Sequence, residues 1–84
     1  MTSNERNLLE MLLQHPQGNV YSVMAQEVYK SFHLDKSALT NAIHGLIKQG
    51  YDITTFSTKR DLWRIQINQN DIQIQNYKEL TTND

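Results

Sequence analysis

Residues 35–67, DKSALTNAIHGLIKQGYDITTFSTKRDLWRIQI, decide how this chain folds. Leu39, Ala42, Ile43, Leu46 and Ile47 recur at helical spacing and form one apolar stripe. The opposite face of that helix carries Ser37, Thr40, Asn41, His44 and Lys48, all able to hydrogen-bond. Asp35 is a good N-cap, and the helix runs from Lys36 to about Gln49. Gly50 then stands where a left-handed C-cap residue belongs, because glycine has no Cβ to clash at positive φ. Tyr51 to Phe56 and Leu62 to Ile67 follow, rich in β-branched and aromatic residues, with the polar link Ser57 to Asp61 between them. They read as a two-stranded ribbon with Lys59 and Arg60 at its tip. By the period of two, Trp63, Ile65 and Ile67 share a face, which is expected to cover the helices. Trp63 and Phe56 are expected as core plugs, with an exposed aromatic platform as the alternative.

Upstream, a first helix is predicted from Asn4 to Gln14, with Ser3 as N-cap and Leu8, Leu9, Leu12 and Leu13 on its buried stripe. Pro16 and Gly18 end it. Asn19-Val20-Tyr21 reads as a short strand able to pair with the ribbon. Ser22 is the expected N-cap of a second helix, Val23 to Phe32, and His33-Leu34 makes the turn into the third helix. Two helices joined by a tight turn, the second amphipathic, form a helix-turn-helix pattern. Downstream, residues 68–84 turn polar. Ile72-Gln73-Ile74-Gln75 alternates like a strand, and the chain from about Leu80 reads as disordered. The fold class expected is α+β, a winged helix-turn-helix over residues 1–67 with three helices and a small antiparallel ribbon, plus a C-terminal extension over 68–84.

Composition bounds the function. Eighty-four residues allow one domain, and 38% hydrophobic residues suffice for a small core. The absence of cysteine excludes disulfides and thiolate metal sites. His15, His33 and His44 lie on different elements without ligand spacing, so no metal is expected. No nucleophile–base grouping or glycine-rich phosphate loop stands out, so neither an enzyme nor a cofactor is expected. No apolar run reaches the length of a membrane span, roughly 20 residues. The amino-terminal stretch holds Glu5 and Glu10 within its apolar run and does not read as a signal peptide. A cytoplasmic protein is expected.

The net charge is −1, yet its distribution is uneven. Residues 1–29 hold Arg6 against Glu5, Glu10 and Glu27, a balance of −2. Residues 30–64 hold Lys30, Lys36, Lys48, Lys59, Arg60 and Arg64 against Asp35, Asp52 and Asp61, a balance of +3. Residues 65–84 return to −2. The positive excess collects where the third helix and ribbon lie, a weak electrostatic footprint for nucleic acid.

The run AIHGLIKQGYDI, residues 42–53, followed by LWRI, residues 62–65, resembles small winged helix-turn-helix domains of phages and prophages. It is also similar to the amino-terminal domain of the biotin-operon repressor. The matching positions are Ile43, Leu46, Gly50, Tyr51, Ile53, Trp63 and Ile65, within a resemblance covering about residues 5–67. It implies sequence-specific binding of double-stranded DNA by a small transcriptional regulator, with the third helix in the major groove. The DNA-binding candidates are Lys36, Ser37, Thr40, Asn41, His44 and Lys48 on the helix, and Lys59, Arg60 and Arg64 on the ribbon. Asn41 suits an adenine edge, and the cations suit phosphates. Where such relatives usually carry arginines on this helix, Ala42 and Ile47 stand here, which implies weaker non-specific affinity. The alternative is a winged-helix protein-interaction module or phage-encoded inhibitor acting on a host protein. The alternation at Ile72 and Ile74 offers a strand for homodimer pairing through the extension.

Overall fold

The structure, a computed structural model, describes residues 1–59 and 61–82. Its elements in chain order are α1 (Ser3–Leu13), β1 (Pro16–Gln17), β2 (Val20–Met24), α2 (Ala25–Phe32), α3 (Lys36–Lys48), β3 (Thr54–Thr58), β4 (Asp61–Asn68) and α4 (Ile72–Thr82). The fold is α+β, with four helices and one antiparallel four-stranded sheet of order β1-β2-β4-β3. No helix among the described residues is long and apolar enough to cross a membrane.

The first helix starts one residue earlier than the sequence reading had it. Thr2, not Ser3, is the N-cap: its hydroxyl accepts from the Glu5 N–H at 3.2 Å, and Glu5 Oε1 accepts from the Thr2 N–H at 3.0 Å. This reciprocal box satisfies two donors that a helix start leaves unpaired. Glu5 is only 7% exposed and also accepts from the Gln49 side-chain amide at 2.8 Å, tying α1 to the end of α3. The Thr2 N–H first, then the Gln49 amide, hold its carboxyl below the ordinary glutamate range. The two helices meet at Gly45, where an added Cβ would collide with the Glu5 carboxylate.

The strand expected at residues 19–21 extends to Met24, pairing Tyr21 with Ile67, Val23 with Ile65 and Met24 with Arg64. This corrects the assignment of Ser22 as a helix cap. Ser22 lies buried in β2 opposite Gln66, and α2 begins at Ala25 with no side-chain cap. Sheet pairing outcompetes helix initiation here because Tyr21 and Val23 bury their side chains on the core face. The turn after α2 lacks glycine, and His33 takes the left-handed position itself at φ 54°. Asp35 caps α3 as expected, accepting from the Ala38 N–H at 2.8 Å. Gly50 is left-handed at φ 101°.

Trp63 is corrected too. It is 40% exposed, although Ile65 and Ile67 on the same strand are buried. Phe56 pairs with Arg64 but Ser57 pairs with Leu62, so Trp63 is the extra residue of a β-bulge. The bulge breaks the alternation, and Leu62 packs against the core in its stead. Phe56 is half-buried, its ring 5.9 Å from that of Trp63.

The extension is a helix, which removes the strand expected at Ile72 and Ile74. Asp71 decides it: Oδ1 accepts from the N–H groups of Gln73 and Ile74, capping α4, while Oδ2 accepts from the Asp52 N–H. Ile74 and Tyr77, three apart, are buried with the leucines of α1, whereas Ile72 is 70% exposed. The extension thus shares the one core, and Leu80 continues α4 rather than a disordered end. Residues 83 and 84 lie outside the described residues.

Two predictions follow from this packing. Gly45→Ala gains about 1 kcal/mol of helix propensity but displaces the Glu5 carboxylate and its cap, worth about 0.5–2 kcal/mol. Loss of the Gln49 bond adds to that cost. The substitution is therefore expected to destabilise the native chain yet stabilise a Glu5→Ala background. Urea unfolding of the four variants measures this, and the same sign in both backgrounds refutes the contact. Separately, the Tyr77 hydroxyl donates to Glu10 Oε1 at 2.7 Å, and burial, then this bond, push its pKa up to about 12. The unfolded phenol ionises near 10, so folding stability falls as pH rises from about 10 to 12. Tyr77→Phe is expected to flatten that part of the stability–pH curve; an unchanged curve refutes it.

Candidate nucleic-acid interface

Burial of the apolar stripe fixes which side of α3 faces outward. Leu39, Ala42, Ile43 and Leu46 lie in the interior, so Ser37, Thr40, Asn41, His44 and Lys48 stand exposed. Their neighbours differ across the width of the helix. Asn41 lies on the α1 side, in a shallow cavity with Thr2, Asn4, Glu5, Ala38 and Ala42. Thr40 and His44 lie on the ribbon side, lining a groove of about 280 Å³ with Ile43, Ile47, Thr55, Ser57 and Leu62.

The ribbon stands beside α3 because β3 is the edge strand, exposed along most of its length and paired only with β4. Lys59 occupies its tip, exposed and left-handed at φ 55°. That is an uncommon conformation for a residue with a side chain. Arg60 lies outside the described residues.

The expected cations do not all converge. Lys36 Nζ lies 2.9 Å from Asp61 Oδ1, joining the start of α3 to the start of β4, with both side chains largely exposed. The hydrogen bond to Asp61, and then its charge, hold the Lys36 ammonium above the usual lysine range. An exposed pair of this kind contributes little to stability, and Asp61 competes with any outside anion for Lys36. Arg64 sits on the other face of β4 from Ile65. It donates to Ser22 Oγ at 2.6 Å and Gln17 Oε1 at 3.4 Å, and its guanidinium lies 5.5 Å from the centre of the Trp63 ring. It belongs to the β1–β2 side of the sheet, away from the groove. Lys48 and Lys59 remain as exposed cations on α3 and the ribbon tip.

Two features escaped the sequence reading. Ile47 was placed on the buried stripe but is 46% exposed at the groove; its place at the stripe's margin, beyond Ile43, was the available signal. Met24 and Trp63, both exposed, flank Arg64 in a second patch reaching Tyr29 and Leu62. The sequence offered an exposed aromatic platform at Trp63 only as the alternative to a core plug, because the bulge in β4 that turns Trp63 outward leaves no mark in residue type. No protein-family model, curated protein or solved structure matches the chain.

Proposed function

We propose that this chain is a winged helix-turn-helix domain that binds double-stranded DNA as a small, phage-type transcriptional regulator. In this reading α3 enters the major groove and the β3–β4 ribbon lies beside it. One observation carries the proposal: α3 turns a row of small hydrogen-bonding side chains outward, next to a protruding ribbon. The element order supports it, with α2 and α3 joined by the short turn at His33 and followed directly by the ribbon. Asn41 is the residue best suited to a base edge, and Ser37 and Thr40 reach bases or phosphates. Lys48 and Lys59 supply the phosphate contacts, with Lys36 contributing once Asp61 is displaced.

The second reading, a protein-interaction module, is favoured by the exposed Met24–Trp63–Arg64 patch. Its residue types are those enriched at protein interfaces. Salt separates the two, because phosphate contacts release counterions and an apolar protein contact does not. For the DNA reading, Lys48→Ala and Lys59→Ala are each expected to flatten the slope of log affinity against log salt by about 0.9. Asn41→Ala is expected to lose about 1–3 kcal/mol on the preferred site and little on random DNA. Fluorescence anisotropy on labelled duplexes measures all three. Salt-independent affinity, untouched by any of these substitutions, refutes the proposal.

A further inference from the structure

We infer that Ile47 reads thymine, by packing against the C5-methyl group that thymine presents in the major groove; this rests on the DNA-binding reading above. Every other apolar residue of α3 after its first turn is buried, with Leu39 and Leu46 wholly enclosed. Ile47 alone breaks that partition, and it does so on the outward side of the groove between α3 and the ribbon.

The groove's chemistry selects among the features a duplex offers. Thr40, His44, Thr55 and Ser57 rim it, and Ile43, Ile47 and Leu62 supply its apolar surface. Among the described residues, no lysine, arginine or carboxylate lines it, so none of them gives it a fixed charge with which to hold a phosphate. Its lining instead combines apolar surface with short hydrogen-bonding groups. Base-pair edges in the major groove carry hydrogen-bonding atoms and a single kind of apolar group, the thymine methyl. Ile47 shares an exposed row with Thr40 and His44, seven and three residues before it, so a base edge laid along that row meets hydroxyl, imidazole and sec-butyl surface in turn. Asn41, toward the α1 side, addresses a different part of the site. The assigned division is polar readout on that flank and methyl readout beside the ribbon.

The test uses the full chain and a duplex selected from a random pool. Each thymine is replaced singly by deoxyuridine, which removes the methyl group and leaves base pairing intact. At one or two positions the native chain is expected to lose about fourfold in affinity, the worth of one buried methyl group. Ile47→Ala is expected to bind the thymine site about as weakly as the native chain binds the deoxyuridine site, and to gain nothing from restoring the methyl. Ile47→Val, which keeps a branched tip, is expected to retain part of the discrimination. Circular dichroism verifies that the variants fold, as an exposed position should permit. Salt-dependent binding with no deoxyuridine effect, or a selected site lacking thymine, overturns the inference and leaves the DNA reading standing. A deoxyuridine effect of equal size in Ile47→Ala assigns the methyl contact elsewhere and overturns it as well. Failure to bind any duplex overturns both.

Discussion

The antiparallel pairing of β2 with β4 is the constraint from which the rest of the structure follows. It joins residues forty or more positions apart, Val20 to Asn68 and Met24 to Arg64, and so encloses both α2 and α3 in one loop of chain. Closing such a loop is entropically unfavourable, and the apolar faces of Tyr21, Val23, Ile65 and Ile67, buried together with the leucines of α1, offset it. The pairing draws Ser22 into the sheet, which leaves α2 without a side-chain cap. It places β4 in the sheet's interior, which leaves β3 at the margin beside α3. It also lines up Ser22 and Gln17 to receive Arg64, removing that cation from the outward face of α3.

How far the sequence could be read depended on whether a signal was local. The α3 stripe up to Leu46, the Asp35 cap and the left-handed Gly50 are local, and the structure has them where the residues put them, with Ile47 alone turned outward. The α1 cap was equally local, since Thr2 and Glu5 have the spacing of a capping box, but Ser3 also satisfies the simpler rule. Ser22 and the extension were harder. Ser22 is a sound helix cap until β4 arrives to pair with it. Ile72-Gln73-Ile74-Gln75 alternates like a strand, and the Asp71 cap together with the burial of Ile74 and Tyr77 against other elements selects the helix. Asp71 was the sequence clue, a capping residue directly before the run. Trp63 was unreadable for a further reason: a bulge depends on how two strands meet, not on either strand's composition.

Charge and shape divide the candidate surface between them. The cations gathered in the middle of the sequence are dispersed by folding, Lys36 toward Asp61 and Arg64 toward β1 and β2. Among the described residues, what α3 and the ribbon share is therefore a groove without charged lining, with Lys48 on α3 and Lys59 at the ribbon tip. On the DNA reading, such a surface relies on fit to base edges more than on attraction to the backbone, and its hold on unrelated sequences is correspondingly weak.

The position of β3 has one more consequence. Thr54–Thr58 is a run of small, β-branched and aromatic residues with neither charge nor proline, and one side of its backbone has no strand neighbour. Proteins usually guard such margins with lysine, proline or a covering loop, because an open ladder is a template for any extended chain. Here only the bulge beside Ser57 disturbs the regular pairing. The arrangement that gives α3 a companion ribbon therefore also leaves Thr54–Thr58 with an open row of backbone donors and acceptors, a cost of the fold that lies at its margin and not in its core.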